Sequence, residues 1–191
     1  RRDQARVEGR LYGIGCAAVV EPSISNMGYI TTLLTPQQRE RAGAKNGALA
    51  TATVSFDPSG GVTVNVSSVP QGQGHRTVLA QVVADELGID PGEVVAATDH
   101  DTLKDPWSIA SGNYSSRFAG AVAGAAMLAA QRIAERLKII AAPDLNVAVS
   151  DVELVDGAAR SASNPDNAIP LVRVDAKAHW SPLSIPEDAG A

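Results

Sequence analysis

Alternating apolar and polar residues predict a β-hairpin in the first half of the chain. Residues 50–56 and 62–68 both alternate, and the sequence between them, Asp-Pro-Ser-Gly-Gly, has strong turn chemistry. Apolar residues at helical spacing follow the hairpin: Val78, Leu79, Val82, Val83 and Leu87. Gly88 is placed to end this helix. Residues 94–97 then predict a short strand that runs parallel to another strand, because a helix intervenes.

A longer helix and further strands are predicted in the second half. Residues 118–140 are rich in alanine, with Gly120 and Gly124 on one face, where they would permit close packing against another backbone. Residues 145–154 and 169–176 each predict a strand. Together these elements predict an α+β fold, in which two main helices pack on a mixed sheet.

The two ends of the chain are expected to flank a single domain. Residues 1–10 are charged and predict an exposed lead-in, and their abrupt start without Met indicates an excised piece of a longer protein. Residues 11–20 predict a buried strand, with Cys16 as a small core residue. We expect the domain to comprise residues 11–178, and the Pro-rich residues 179–191 to form an extended tail.

The composition narrows the functional classes. The 191 residues carry a net charge of −5 and no basic block, which argues against a nucleic-acid-binding surface. With one cysteine, the chain can form neither an internal disulfide nor an iron–sulfur site. Its start lacks a signal-peptide pattern, and the longest apolar stretch, residues 118–130, is too short to span a bilayer. We therefore expect a cytoplasmic protein.

A strand-to-helix junction at residues 67–77 is the first candidate for a binding site. Gly72 and Gly74 allow the backbone to approach a ligand, and the helix that follows directs its positive dipole end toward them. Gln73 adds an amide that both donates and accepts hydrogen bonds. The motif is neither a P-loop nor a dinucleotide fingerprint. It predicts either a site for a polar anionic ligand or a tight turn that only reverses the chain.

A second junction precedes the long helix. Residues 111–117, Ser-Gly-Asn-Tyr-Ser-Ser-Arg, place several hydroxyl groups and a glycine directly before that helix. Two such junctions in one small domain predict a single extended, phosphate-bearing ligand that is bound at both ends. His100, between Asp99 and Asp101, is a weaker candidate for a metal site or a solvated loop, because no other His or Cys lies at ligand spacing.

The paired motifs resemble a known family. Residues 71–75, Gln-Gly-Gln-Gly-His, followed by residues 111–117 and an alanine-rich helix, resemble the molybdopterin-binding large subunit of the xanthine oxidase family. The similarity is greatest to its aerobic carbon monoxide dehydrogenase-like branches. Residues 11–15 and 179–182 are also similar to family segments. The resemblance covers nearly the whole chain and implies one middle domain of the large subunit, with the fold of the molybdopterin-binding domain of molybdenum hydroxylases.

The resemblance also implies a cofactor and the residues that bind it. Family members hydroxylate or dehydrogenate small substrates at a molybdenum held by a pyranopterin, in bacteria often in its cytosine dinucleotide form. Gln73 matches the glutamine near the molybdenum end, and Gly72 and Gly74 give backbone approach. Asn113, Ser115 and Ser116 match the segment that holds the pterin and its phosphate. The remaining implied cofactor residues are His75 and Gly112.

The same resemblance implies partners and an incomplete catalytic apparatus. Iron–sulfur and flavin cofactors would reside on partner subunits, and the rest of the large subunit would supply the catalytic glutamate. We therefore expect a part of a xanthine dehydrogenase-like, molybdenum-dependent oxidoreductase that is inactive by itself. The alternative is a non-catalytic structural or interaction module that keeps the fold without the cofactor. If one cofactor bridges both junctions, Gln73 and Ser116 must lie at the same edge of the domain.

Overall fold

The computed structural model describes residues 1–20, 28–43, 49–101, 103, 105, 113, 114 and 116–189, and these residues form an α+β fold as predicted. The α-helices are α1 (Arg2–Val7), α2 (Pro36–Ala42), α3 (His75–Leu87), α4 (Gly124–Leu145) and α5 (Leu171–Trp180). The strands are β1 (Ala52–Phe56), β2 (Val62–Val66), β3 (Val94–Ala97), β4 (Val152–Val155), β5 (Ala158–Ser161) and β6 (Ala168–Pro170). A π-helical turn (Phe118–Ala123) leads directly into α4. Short 3-10 turns are Gly28–Leu33, Pro91–Glu93, Val149–Asp151, Pro182–Ser184 and Glu187–Ala189.

The first sheet has the order β1-β2-β3 and confirms the predicted hairpin. β1 and β2 run antiparallel, with Val54 opposite Val64. The turn between them is held by Asp57, whose Oδ1 accepts hydrogen bonds from the N–H groups of Ser59 at 2.8 Å and Gly61 at 3.2 Å. β3 pairs parallel to β2, as expected for strands that are separated by a helix.

A second sheet of three antiparallel strands, in the order β4-β5-β6, follows α4. The strand predicted over residues 145–154 is restricted to β4, because α4 continues to Leu145 and a 3-10 turn intervenes. The strand predicted over residues 169–176 is wrong beyond Pro170, where α5 begins. The residues that α5 buries lie at helical spacing: Leu171, Val174 and Asp175.

The helices α3 and α4 pack with the first sheet around a core of small aliphatic side chains. β2 is the central strand, and its inward-facing valines are almost fully buried. A Cβ built on Gly124 would have no described atom within 4 Å, so Gly124 is not what brings α4 close to its neighbours. Small alanines spaced four residues apart do this instead. The buried residues of these elements include Val62, Val64, Val66, Leu79, Val83, Leu87, Ala126, Ala130 and Ala134.

The N-terminal segment differs from its prediction. Residues 11–20 form no regular element and are exposed, so the prediction of a buried strand is wrong. Cys16 is likewise exposed and does not belong to the core. No strand in the described part of the chain pairs with this segment, and its glycines weaken its tendency to form a strand. Residues 1–10 are exposed as expected, although they form α1, which buries Ala5.

The chain beyond α5 continues in short 3-10 turns that return to α4. Arg136 Nε donates a hydrogen bond to the carbonyl oxygen of Ala189 at 2.8 Å, which ties this segment to α4. The division into a lead-in, a domain over residues 11–178 and a tail stays a prediction. In the ranges that the structure describes, we find no helix with the length and apolar character that crossing a membrane requires.

Candidate functional site

The first junction is an exposed loop between β2 and α3. Gly72 and Gly74 have φ values of +97° and +77°, in the left-handed region that favours glycine. Gly74 immediately precedes α3, and a Cβ built on it would meet no described atom within 4 Å, so the backbone here is open to a ligand. The side-chain oxygen of Gln73 accepts a hydrogen bond from the N–H of Gln71. This bond leaves Gln73 Nε2 as a donor for a ligand.

The second junction leads into the π-helical turn and α4. Ser116 has a φ of 46°, and Arg117, which precedes the turn, is only 1% exposed. Positive φ is uncommon in residues other than glycine, and π-helical turns are frequent at functional sites. Gly112 and Ser115, two of the residues that the resemblance implies, lie outside the described residues.

Both junctions open onto one cavity with a volume of about 410 Å³. Gln73 and Ser116 both line it, so they lie at the same edge of the domain, as predicted. Since the two helical segments begin with residues that line the cavity, the positive ends of their dipoles lie there as well. The full lining is Gln73, His75, Asn113, Tyr114, Ser116, Arg117, Phe118 and Ala119.

His75 is a buried polar side chain in the cavity wall. It is 1% exposed, and its ring stacks on that of Phe118, with the ring centroids 3.5 Å apart and an interplanar angle of 5°. Neither Nδ1 nor Nε2 has a hydrogen-bond partner among the described residues. Burial lowers the pKa of His75 below its usual value, so the ring is neutral at pH 7. A neutral imidazole offers one donor and one acceptor, and both suit a polar ligand.

Two arginines near the junctions differ in their relation to the cavity. Arg117 lines the cavity, with its guanidinium carbon 5.6 Å from the centroid of the Tyr114 ring and Nη1 donating to Tyr114 Oη at 3.4 Å. Arg76 donates from Nε to Thr98 Oγ1 at 2.9 Å and from Nη2 to Asp99 Oδ1 at 3.1 Å. Arg117 therefore places a guanidinium in the cavity wall, whereas Arg76 is not among the lining residues and pairs with Asp99.

A pair of polar side chains joins the two junctions. Ser68 is 1% exposed and donates from Oγ to Asn113 Oδ1 at 2.7 Å. Asn113 Nδ2 in turn donates to the carbonyl oxygen of Val69. Each end of the Asn113 amide is therefore bonded to the loop that leaves β2.

The other candidates from the sequence do not join this site. In the described ranges, no group of three His, Cys, Asp or Glu residues is placed to hold a metal ion. Within those ranges, His100 therefore belongs to no cluster of metal ligands. His179 contacts Asp175 within α5, with Nε2 at 3.5 Å from Oδ2. A larger cleft of about 580 Å³ suits an anionic ligand poorly, because its lining is acidic. Its acidic residues are Asp85, Asp90, Glu93 and Asp156.

Sequence reasoning missed two features of the cavity wall. One is the stack of His75 on Phe118, and the other is the hydrogen bond from Ser68 to Asn113. Both contacts join residues that are far apart in the chain, so no local pattern signals them. The available signal for Ser68 was that it continues the inward-facing alternation of β2 with a polar side chain.

Left-handed glycines, two helix N-termini, a buried imidazole and an arginine meet at one cavity, and this combination suits a polar, anionic ligand. Residues 1–189 match the family described as "Molybdopterin cofactor-binding domain". The chain therefore belongs to the molybdopterin cofactor-binding domain family, which confirms the resemblance seen in its motifs.

Similar proteins support the same family. The nicotine 6-hydroxylase large subunit of Paenarthrobacter nicotinovorans is 33% identical over 180 residues, which cover 94% of this chain and 21% of that protein. The carbon monoxide dehydrogenase large chain of Hydrogenophaga pseudoflava is 35% identical over 107 residues, or 56% of this chain and 13% of that protein. The crystal structure of quinoline 2-oxidoreductase from Pseudomonas putida 86 superposes with a TM-score of 0.70 at 31% identity, over 87% of this chain and 20% of that chain. The chain thus spans about a fifth or less of the length of these relatives.

Proposed function

We propose that this chain holds the pyranopterin-bound molybdenum of a molybdenum hydroxylase or dehydrogenase large subunit, in the cavity between the two junctions. The reaction would be the oxidative hydroxylation or dehydrogenation of a small substrate. The observation that carries the proposal is the buried imidazole of His75, which has no described hydrogen-bond partner and lines a cavity at two helix N-termini. The relatives, named as a hydroxylase, a dehydrogenase and an oxidoreductase, support this reading.

The cavity fits an anionic, polar cofactor by hydrogen bonding and by charge. Gln73 Nε2 and the open backbone beside Gly74 would donate to its anionic end. His75 would donate one hydrogen bond and accept another from the heteroatoms of the pterin. Arg117 would offset negative charge, and each helix N-terminus stabilises a nearby anion by about 0.3–1 kcal/mol. The two dipoles therefore supplement the cavity arginine.

The chain's own residues bind and orient the cofactor. When bound, the molybdenum supplies the redox chemistry at the substrate. Ser116, together with Gly112, Asn113 and Ser115, would hold the pterin and its phosphate, which the cytosine dinucleotide form would extend to a pyrophosphate. The buried ring of His75, stacked on the half-buried ring of Phe118, would keep water away from one side of the site.

We also propose that other subunits complete the enzyme. An oxidation of substrate at the bound cofactor would need an electron acceptor, and iron–sulfur and flavin subunits would suit that role. The single cysteine of this chain cannot hold an iron–sulfur cluster, so the clusters would reside elsewhere. A relative named as a subunit of a complex supports the assembly: the 6-hydroxypseudooxynicotine dehydrogenase complex subunit gamma of Paenarthrobacter nicotinovorans is 33% identical over 131 residues.

Replacing Gln73 in the holoenzyme tests the proposal. Gln73→Ala removes a donor at the cavity, so we expect the molybdenum and pterin content per chain, or the turnover, to fall several-fold while the enzyme stays folded. Metal analysis and pterin fluorescence measure the content, and circular dichroism checks the fold. Gln71→Ala is the matched control, because Gln71 lies in the same loop but is not among the residues that line the cavity.

The outcome of this experiment separates two functions. A loss confined to Gln73→Ala supports a cofactor site at the glycine loop. Unchanged molybdenum content together with an unchanged rate would contradict the proposal, because a glutamine that faces only water has no effect on either. A holoenzyme in which this domain binds no cofactor would identify it as the non-catalytic module instead.

A further inference from the structure

We infer that Ser68 is a positioning residue, which acts through Asn113 to fix the glycine loop against the second junction and so holds the cavity at the width that its ligand needs. The inference rests on the proposed function. Ser68 would act through Asn113 and the backbone at Val69, without contacting the ligand itself.

Ser68 occupies a rigid place in the fold. It continues the inward-facing side of β2, whose Val64 and Val66 are 0% and 5% exposed, and it is itself 1% exposed. β2 is the central strand of its sheet and is paired on both sides. Ser68 itself lies two residues beyond β2, and the N–H of its neighbour Ser67 donates to the carbonyl oxygen of Thr51 at 3.2 Å, so the end of the ladder anchors the Ser68 hydroxyl and the group bonded to it.

Asn113 forms hydrogen bonds to the loop after β2 with both ends of its side-chain amide. Oδ1 accepts from Ser68 Oγ at 2.7 Å, and Nδ2 donates to the carbonyl oxygen of Val69. The two bonds fix the amide plane, so Asn113 is fixed in orientation as well as in distance. Because Asn113 lies just before Ser116 in the chain, this pair of bonds sets the position at which the second junction begins.

The two junctions are joined by two kinds of contact, ring stacking and hydrogen bonding. The rings of His75 and Phe118 connect the beginnings of the helical segments by stacking. The Ser68 and Asn113 side chains connect the loops before those segments by hydrogen bonds. A stack allows sliding between rings, whereas directional hydrogen bonds define one separation. The polar pair is therefore the element that determines the cavity width.

Ser67 provides a matched control. It is 2% exposed and adjacent to Ser68, and its Oγ accepts a hydrogen bond from the N–H of Thr51 at 3.2 Å. That bond closes the end of the β1–β2 ladder and does not reach the second junction. Ser67→Ala therefore removes a buried hydroxyl of the same type without breaking the connection across the cavity.

The test measures cofactor release from the holoenzyme in these variants. The half-time of molybdenum release, followed by metal analysis after gel filtration, should shorten about five- to tenfold in Ser68→Ala, because a buried acceptor loses its partner. Asn113→Ala should shorten it at least as much, because Asn113 also lines the cavity, and the double variant should release no faster than Asn113→Ala alone. Ser67→Ala should change the half-time less than about twofold. Ser68→Thr, which keeps the hydroxyl, should restore slow release.

Several results would overturn the inference. An unchanged half-time in Ser68→Ala would do so. An equally short half-time in Ser67→Ala would also do so, because a general loss of packing would then explain both. If Ser68→Ala does not fold, Ser68→Cys, which keeps the size of the side chain but is a weak donor, decides the question by the same measurement. Additive effects in the double variant count against a shared hydrogen bond. A wild-type holoenzyme that holds no cofactor in this domain would overturn both the proposed function and this inference.

Discussion

Replacing His75 with phenylalanine should have opposite effects on the empty and the loaded protein. The substitution keeps a ring that stacks on Phe118 but removes both nitrogens, which have no partner among the described residues. In the cofactor-free protein those nitrogens are desolvated without a hydrogen bond, so their removal should stabilise the fold. In the loaded protein they would bond to the cofactor, so their removal should weaken its retention.

The structure gives the size of both effects. A buried polar group without a hydrogen bond costs about 1–3 kcal/mol, and phenylalanine is slightly larger than histidine, which opposes part of the gain. For the cofactor-free protein we expect His75→Phe to raise the free energy of unfolding by about 1 kcal/mol. For the loaded protein we expect the release of molybdenum to become about tenfold faster, which corresponds to one lost hydrogen bond from a desolvated site.

The same substitution should remove a pH dependence. Burial lowers the pKa of His75 in the folded state below the ordinary value of 6.5. As the pH falls, the unfolded state therefore binds the proton first. The fold therefore carries no protonation penalty at His75 above pH 6.5, and it loses stability as the pH falls below that value, with a slope of at most about 1.4 kcal/mol per pH unit. His75→Phe should lack this slope.

Two measurements and one control decide the matter. Urea unfolding of the cofactor-free full-length subunit at several pH values, with amide hydrogen exchange in α3, gives local stability, and metal analysis gives release from the holoenzyme. His179→Phe is the matched control, because His179 lies in α5 and does not line the cavity. If cofactor-free His75→Phe is less stable than the wild type and its release rate is unchanged, the reasoning is refuted, because the protein itself must then satisfy the imidazole.

Two glycines and one carboxylate test the scaffold. Gly74→Ala should lower the free energy of unfolding by about 1 kcal/mol, because only its φ of +77° is unfavourable for alanine. Gly88→Ala should lower it by about 2–4 kcal/mol, because its Cβ would also lie 2.2 Å from the carbonyl oxygen of Leu154. Equal losses for the two variants in urea unfolding would contradict this. Asp151 accepts a hydrogen bond from Ser161 at 2.6 Å, which lowers its pKa below 3.8, so its stabilising effect is present above that pH and is lost as the pH falls further. Asp151→Asn should flatten acid unfolding in that range, and identical acid profiles for the variant and the wild type would show the bond to be irrelevant.

Local patterns predicted the elements whose determinants are local. The hairpin follows from the turn sequence around Asp57, and the end of α3 follows from Gly88, which has a φ of +64°. The alternation of Val172 and Val174 around Arg173 imitates a strand, and only burial at helical spacing shows that α5 forms there. The prediction of a buried strand at residues 11–20 was wrong for a related reason. Burial requires a neighbouring surface to pack against, and the local sequence does not show whether one is present.

The two loops of the candidate site could be predicted from the sequence, but the side-chain contacts between them could not. The glycine loop, Gln73 and the second junction are visible in the sequence, and their convergence on one cavity is confirmed. The stack of His75 on Phe118 depends on how α3 packs beside α4, so it arises only in the tertiary structure. Whether the cavity residues contact the cofactor, as the resemblance implies, stays a prediction.

The π-helical turn lies between the residues that line the cavity and the alanines that pack in the core, so the two sets need not follow one continuous α-helical repeat. Phe118 and Ala119 line the cavity, whereas Ala126 and Ala130 face the core further along the same continuous helix. A π-helical turn holds one residue more than an α-helix would, so a deletion there would leave the core alanines in place and rotate the preceding residues by about 100°. Related proteins could thus exchange the side chain at the cavity by a change of helix length alone. An alignment would record such an adaptation as a gap, and a search for substitutions would overlook it.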